Sequence, residues 1–418
     1  MKNIKILTAI LILPWLGAAA GAEIVTDALT WTDCVEAALR GNPSLYVSKY
    51  GKEADEYAYR AALNGYLPQL SLGYSGTRSG EPGSSNWRLG LSASETLFSA
   101  QTGSSIRIKR ATVKKDEVAL LGASASARYQ LRAAFVNLIY AQENIDVLTG
   151  IHKLRASNAE MIRMRYEGGR ESKGNMMRSS AQAEKSRLDI VNAARNLVSA
   201  RRELMSAMGM DEYREFTASG ALADLPAETG IDVNAAALAN PDVKVNALAL
   251  EIAKEQVTSA ASALFPTLSA SQSVNWSGDS MEPKDRSWSA GVALNLPIFS
   301  NGITYVYNNV KSARSQVKQS EETYRKTLLS VRTDLQLAQA TLEQAHDNMT
   351  SSKLFLAAAE QRHKEATVQY LNGALSFDIW EGVEQELVSA QQDYLSALKS
   401  VNIAKAALEK LLGAPLSD

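Results

Sequence analysis

Two stretches of this chain repeat one helical pattern in one register, and this duplication restricts the possible folds more than any other feature. In the second half, apolar or small residues recur at alternating intervals of three and four on both sides of Asn372-Gly373. That spacing is typical of a coiled-coil seam, and Asn-Gly is a helix stop and turn signal. The pattern therefore predicts a long helix that folds back on itself as a hairpin.

The same hairpin is predicted 204 residues earlier in the chain. Tyr166 and Gly169 stand at the positions that Tyr370 and Gly373 occupy in the second half. The seam positions around them are again mostly small or apolar. Two hairpins in one register indicate an internal duplication, and hence one module made of two halves rather than unrelated domains.

The start of the chain has the composition of a secretory signal. Residues 1–22 contain a charged beginning, an apolar stretch over 6–16 and a small-residue cleavage site at 20–22. The apolar stretch is too short to span a bilayer as a helix, although a retained anchor is the alternative. The remaining chain divides into a first repeat over 23–222 and a second repeat over 223–418.

Within each repeat the hydrophobic period changes from helical to two before the long helix begins. Apolar residues alternate with Ser and Gly over residues 69–77, 87–97, 267–276 and 287–298, and Gln272 is the one polar residue noted on the apolar side. Such alternation, with aromatic residues at strand ends, is typical of membrane barrel strands; edge strands of a soluble sheet are the alternative. The aromatic residues of this predicted girdle are Tyr74, Trp87, Trp276 and Trp288.

Four strands do not close a barrel, because known single-chain barrels begin at about eight strands. An open sheet edge is not tolerated in lipid, so the strands must be shared among chains. Two chains would supply eight strands and three would supply twelve. Counting leaves both possibilities open, although a lumen lined with small residues favours the wider barrel.

Composition and motifs argue against several other classes of protein. A net charge of −1 gives no electrostatic footprint for nucleic acid. The single Cys34 excludes an intramolecular disulfide and is expected to be a buried small hydrophobe, not a lipid-anchored cysteine. The three histidines are isolated, and no phosphate loop or nucleophile–base pattern occurs. We therefore expect no enzyme, no cofactor and no metal site.

Several short motifs occur in a fixed order along the two repeats. They are the segments 29–33, 42–43, 66–68 and 296–299 and the tips around Gly169 and Gly373. In their order and doubling, the chain resembles the TolC-like family, the outer-membrane channels of tripartite export systems. The resemblance covers the whole chain after the signal segment.

This resemblance implies a fold, a location and partners. The fold would be mainly α: a long antiparallel coiled-coil helical barrel, with four β-strands per chain contributing to a trimeric 12-stranded barrel in the outer membrane. The homotrimer would dock to a periplasmic adaptor protein and an inner-membrane pump, in efflux or type I secretion. Docking is expected at the hairpin tips, at Tyr166, Gly169, Tyr370 and Gly373. The alternative is a soluble periplasmic coiled-coil scaffold.

The two hairpin ends carry opposite charge. Past the second tip, Asp378, Glu381 and Glu384 recur every three residues, which predicts a carboxylate stripe on one helical face. The first tip is basic, with Arg163, Arg165, Arg170, Lys173 and Arg178. Neighbouring hairpins are thus placed to bridge and to hold a tunnel closed, with the carboxylates forming a pore constriction that favours cations. The alternative is a solvated outer face whose ion pairs contribute only ~0–1 kcal/mol each.

Overall fold

The structure of the chain is a computed structural model. It describes residues 28–78, 80, 85–224, 230–298, 302 and 304–417. The predicted signal segment, residues 1–22, lies outside the described residues. Within the described ranges, no helix is both long enough and apolar enough to cross a membrane.

Long helices make up most of the described chain. The helices are α1 (Trp31–Gly41), α2 (Pro43–Leu63), α3 (Ala100–Glu167), α4 (Lys173–Met208), α5 (Val233–Ala239), α6 (Pro241–Ser262), α7 (Tyr305–Leu371) and α8 (Phe377–Leu412). The strands are β1 (Ala28–Leu29), β2 (Gln69–Arg78), β3 (Ser85–Phe98), β4 (Thr217–Ala218), β5 (Thr267–Gly278) and β6 (Asp285–Asn295). We call residues 168–172 the first tip and residues 372–376 the second tip.

The long helices lie side by side in two hairpins. The helix α3 has 68 residues and is therefore about 100 Å long. Both α2 and α4 pack along α3, and both α6 and α8 pack along α7, so each pair of shorter helices follows one long helix. Contacts of α3 with α6 and α8 join the two hairpins. The helices therefore follow one another laterally in the order α2 and α4, α3, α6 and α8, α7.

An asparagine makes the same kind of hydrogen bonds at the start of both α2 and α6. Asn42 accepts hydrogen bonds from the Ser44 and Leu45 backbone N–H groups and donates from its amide to the Ala207 carbonyl oxygen at 2.8 Å. The proline that follows suits the first helical turn because its missing N–H would be unsatisfied there anyway. Asn240 makes the equivalent hydrogen bond in the second repeat, donating to the Leu411 carbonyl oxygen at 2.8 Å. Each asparagine thus joins a short helix to the end of the returning hairpin.

The strands β2, β3, β5 and β6 form one antiparallel sheet in that order. The register places residues of like character in rows across it. An apolar row consists of Leu72, Leu91, Val274 and Trp288. A polar row on the opposite face consists of Ser71, Ser92, Ser273 and Ser289. Neighbouring hydroxyl oxygens in the serine row lie 2.6 and 3.0 Å apart. The sheet therefore has one apolar and one polar face, as the alternation predicted.

The main core lies in the middle of the molecule, between the two hairpins. Its most deeply buried seam residues include Leu131, Leu138, Leu335, Leu342 and Val401. Cys34 is also fully buried, and this burial raises the pKa of its thiol to about 12, so the thiol stays protonated. The predicted fold class, mainly helical with four barrel-type strands and two coiled-coil hairpins, is confirmed.

A short parallel pair of strands, β1 and β4, was not predicted. Its two-residue strands are too short to show a hydrophobic period. Gln142 on α3 holds this pair by accepting from the Ala218 N–H at 2.8 Å and donating to the Ala218 carbonyl oxygen at 3.2 Å. Asn402 on α8 donates to the Ala223 carbonyl oxygen at 3.1 Å. The segment between the repeats therefore crosses from the first hairpin to the second and ties both together.

Candidate functional site at the hairpin tips

An aromatic cluster closes the second hairpin and reaches the first. The Tyr370 ring stacks on the Trp380 ring with centroids 4.7 Å apart, and the Arg165 guanidinium lies 4.6 Å from the Tyr370 centroid. The Trp380 indole N–H donates to the Thr367 hydroxyl at 3.2 Å. The cluster is completed by Ile162, Ala366, Phe377 and Val383. The two hairpins therefore share one small core at the end of the molecule opposite the sheet.

A hydrogen bond joins this cluster to the first tip. The Tyr370 hydroxyl donates to Glu171 Oε2 at 2.6 Å, and Glu171 also accepts from the Ser172 N–H and the Asn175 amide. Burial acts to raise the pKa of Glu171, but these three hydrogen bonds and the nearby Arg165 outweigh it, so the pKa lies below its ordinary value. Burial also raises the pKa of Tyr370, which keeps the phenol protonated as the donor. Glu171 therefore stays ionised as the acceptor.

Arg178 at the start of α4 bridges to α8. Its Nη2 lies 2.7 Å from Glu381 Oε2, and its Nη1 lies 3.4 Å from Asp378 Oδ1. Gln182, one turn further along α4, donates a hydrogen bond from its amide to Glu381. The bridge between a basic and an acidic hairpin end is thus present within a single chain.

Glu384 makes the most deeply buried polar contact between α3 and α8, and we call this contact region the hairpin junction. Asn158 donates an amide hydrogen bond to Glu384 Oε2, and Arg155 Nε lies 3.5 Å from Glu384 Oε1. Arg155 also donates to Gln385 Oε1 at 2.8 Å. Burial raises the pKa of Glu384, and the hydrogen bond from Asn158 and the charge of Arg155 only partly offset this effect. The α3–α8 junction therefore contains a carboxyl group whose ionised form is disfavoured.

The structure separates the three carboxylates that were predicted to share one face. The Asp378 side chain is 79% exposed, whereas the Glu381 and Glu384 side chains are 7% and 5% exposed. The reason is geometric, because three residues on a helix advance by about 300°, and each step moves the position by about 60° around the axis. The three predicted carboxylates therefore differ in environment: the series begins in solvent at Asp378 and ends inside the hairpin junction at Glu384.

The predicted docking residues also differ from one another. Gly169 and Gly373 have φ values of 69° and 75°, and a β-carbon at either position would meet no other atom within 4 Å. Both tips therefore need glycine for the left-handed turn and leave free space around it. Tyr166 is 36% exposed, but its counterpart Tyr370 is 2% exposed. Tyr370 thus belongs to the internal cluster and not to the free surface of the tips.

All four predicted girdle residues lie on the apolar face of the sheet, near its loop-side end. Tyr74 and Trp276 share one row, Trp87 lies in the next row towards the loops, and Trp288 lies one row nearer the helices. The Tyr74 and Trp87 rings stack with centroids 5.6 Å apart. The four aromatic side chains thus occupy three neighbouring rows.

Within the described ranges, no group of three or more His, Cys, Asp and Glu residues is placed to hold a metal ion.

The residues that the sequence did not single out are Glu171, Trp380, Arg155 and Asn158. Glu171 lies in a tip without any periodic pattern. Arg155 and Asn158 look like ordinary helical polar residues until α8 is placed beside them. Only Trp380 carried a signal, since a tryptophan is a large apolar side chain that tends to be buried with its N–H hydrogen-bonded.

Comparison with known proteins gives consistent similarities. A family model described as outer membrane efflux protein matches residues 34–210 and 233–414. The cobalt-zinc-cadmium resistance protein CzcC of Cupriavidus metallidurans is 24% identical over 71% of this chain and 70% of its own length. The outer membrane efflux protein BepC of Brucella suis is 24% identical over 96% of this chain and 88% of its own length.

Solved structures share the fold. A structure of CusC superposes with a TM-score of 0.83, at 18% identity, over 91% of each chain. The open-state structure of the Neisseria gonorrhoeae MtrE outer membrane channel superposes with a TM-score of 0.81, at 22% identity, over 92% of this chain and 89% of that chain. At such identities these likenesses concern the fold.

We expect the stability of the hairpin junction to depend on pH through Glu384. The buried carboxyl has a raised pKa, so the folded state binds more protons than the unfolded state above the ordinary value of 4.5. The stability that the protonated Glu384 contributes to the folded state is present at low pH and is lost as the pH rises through the raised pKa. The melting temperature of the wild type, relative to Glu384→Gln, should therefore be higher at pH 5 than at pH 7.5.

The control is Asp378→Asn, which removes an exposed carboxyl about one and two-thirds turns earlier on the same helix. Its effect on the melting temperature should be small, because an exposed ion pair contributes only ~0–1 kcal/mol. A wild-type advantage over Glu384→Gln that stays constant or grows towards pH 7.5 would contradict the assignment.

Proposed function

This chain belongs to the outer membrane efflux protein family, and we propose that three copies of it form an export duct held closed by contacts between the hairpin tips. It is a channel of the outer membrane with a helical tunnel in the periplasm, and it is not an enzyme. Channels of this family work with adaptor and pump partners in tripartite systems. The observation that carries the proposal is the set of polar contacts joining the two hairpin ends.

Assembly into a ring follows from the two free edges of the chain. Among the described elements, β2 and β6 each pair on one side only, and α7 lies at the lateral edge opposite α2 and α4. Large exposed apolar side chains occur on both edges: Val47, Tyr50, Tyr57, Leu188 and Val191 on one, and Leu329, Leu337, Leu354, Phe355 and Val368 on the other. A head-to-tail contact that closes on itself buries both edges. Three copies supply twelve strands, and mass measurement in detergent tests this number.

The closed state depends most on the innermost contacts. Removing one partner of a buried ion pair costs about 3–5 kcal/mol, whereas an exposed pair contributes only ~0–1 kcal/mol. Truncation of Arg155 or Glu384 alone is therefore expected to cost more stability than truncation of Asp378, because it leaves the other buried group without its partner. The Tyr370 hydroxyl adds a hydrogen bond to the charged Glu171. Opening requires the second hairpin to move away from the first and to break this series of contacts.

Docking of the adaptor is assigned to the parts of the tips that are free in this chain. Gly169 and Gly373 have open space around them, and Tyr166 is partly exposed. Tyr370 is buried, so its role in docking is indirect: a partner that displaces the second tip would pull the Tyr370 hydroxyl from Glu171. In this way binding outside the tunnel is coupled to the contacts that close it.

Substitution Tyr370→Phe should weaken the closed state. It removes one hydrogen bond to a charged acceptor, which is worth about 1.5–3 kcal/mol, or roughly a tenfold or larger increase in the open fraction. Conductance of trimers in planar bilayers measures this. The matched control is Tyr166→Phe, at the equivalent position of the first repeat, where no such bond to Glu171 exists. Equal conductance of the two variants would contradict the proposed latch.

Asp378 and Glu381 are proposed as the pore constriction. Asp378 is exposed but shares Arg178 with Glu381, so both carboxylates would face the axis once the Arg178 bridge opens. Because a ring of carboxylates favours cations, the double variant Asp378→Asn/Glu381→Gln should lower cation selectivity and any block by multivalent cations in planar bilayers. Unchanged selectivity and block would place the constriction elsewhere.

Gly373→Trp tests docking of the adaptor. A bulky side chain at the second tip should prevent close approach of a partner, and a left-handed turn tolerates it poorly. Export should fall to background while trimers still reach the outer membrane, as measured by a transport assay and by fractionation. Gly150→Trp, at an exposed position of α3 outside the tips with open space around it, is the control and should export normally. Normal export by Gly373→Trp would remove the support for docking at this tip.

A further inference from the structure

The apolar face of the sheet contains two polar side chains that the alternation does not explain. On β3 this face carries Glu95, whose row continues through Ala270 and Val292. The adjacent row carries Gln272, between Ala93 and Ala290. The two residues stand in neighbouring rows of neighbouring strands. Glu95 and Gln272 thus form one polar spot on the face that the barrel turns towards lipid.

This spot lies within the apolar band and not at its margin. On the loop side, the next row contains Leu72, Leu91, Val274 and Trp288. On the helix side, the next row contains Phe98, Leu268 and Leu294. Two residues along a strand span about 7 Å, so Glu95 lies one such step from the helix-side end of the sheet. At this depth the polar spot is closer to the periplasmic headgroups than to the bilayer centre, so a lipid headgroup of the periplasmic leaflet can reach it.

The surface around the two side chains is hollow. A cavity of about 490 Å³ is lined by Pro68 and by three consecutive residues from each of β3, β5 and β6, which are Ala93 to Glu95, Ala270 to Gln272 and Ala290 to Val292. Two of the three residues from each strand belong to the apolar face. The alanines create the space because their neighbours in the band are larger.

Glu95 has no compensating charge nearby in the described part of the chain. None of the ion pairs formed by described residues includes it, and its side chain is half-buried. The other charged residues on this face, Arg78 and Arg286, lie at the loop-side end. An ionisable side chain facing lipid is costly, and such residues usually have a functional partner. A phosphate would be favoured near the two arginines, and a cation near Glu95.

We propose that Glu95 and Gln272 bind the primary ammonium headgroup of a phospholipid in the periplasmic leaflet. An ammonium group has three N–H donors, of which Glu95 accepts one in a charge-assisted hydrogen bond and the Gln272 carbonyl oxygen accepts another. The Gln272 amide N–H is then free to donate to the lipid phosphate. A quaternary ammonium has no N–H donor, so the site distinguishes the two headgroups. The proposal is independent of the tip contacts and of export.

Native mass spectrometry of the purified full-length trimer tests the proposal. The trimer is delipidated in detergent and then offered equal amounts of phosphatidylethanolamine and phosphatidylcholine with identical acyl chains. The wild type should retain phosphatidylethanolamine preferentially, at up to one molecule per chain. Glu95→Gln should reduce that preference about tenfold, which corresponds to the loss of one charge-assisted hydrogen bond. Asp285→Asn, on the opposite face of the same sheet, is the matched control and should behave as the wild type.

Gln272→Leu provides a second variant that keeps the lipid-facing surface apolar and is therefore expected to assemble. It should also reduce the preference, and it carries the test if Glu95→Gln yields no trimers. Equal retention of the two lipids by the wild type would overturn the proposal. The same conclusion follows if Glu95→Gln trimers, or failing these Gln272→Leu trimers, keep the wild-type preference, or if a divalent cation replaces the lipid on the wild-type trimer.

Discussion

The structure depends on the packing of the helical seams. Leu131 and Leu138 on α3 and Leu335 and Leu342 on α7 are almost completely buried, and burial of such a side chain contributes roughly 1.5–3 kcal/mol. A single long helix has no tertiary support in water and gains most of its stability from an apolar stripe packed on a neighbour. Since the seam continues for about 100 Å, it can hold a sheet at one end and the tips at the other.

Towards the tips the character of the packing changes. In the middle of the molecule the hairpins meet through leucine, valine and alanine, whereas near the tips Arg155, Asn158 and Glu384 occupy the junction. Polar contacts of this kind need their partners in place, because a buried group left unpaired is costly. They favour two alternatives, fully joined or separated and hydrated, over intermediate arrangements. That property suits an end of the molecule that must open, and the apolar middle suits a part that stays fixed.

The sheet places a different constraint on the same chain. Its period of two assigns one face to lipid and the other to the lumen, so each residue must match the face on which its position puts it. The serine rows and the aromatic residues follow this rule. Glu95 and Gln272 do not, and the small residues around them show that the deviation is built into the surface rather than confined to one side chain.

The sequence by itself determined the hairpins, their tips, the four strands and the faces of those strands. These features depend on hydrophobic period and on glycine and proline, and such signals act over a few neighbouring residues. Tertiary structure alone decided that Tyr370 is buried while Tyr166 is partly exposed, although the two occupy equivalent positions in the repeats. It also decided that the carboxylates beyond the second tip turn from solvent into the junction. These outcomes depend on partners such as Glu171, about 200 residues away in the chain, and no local period encodes which helix lies beside another.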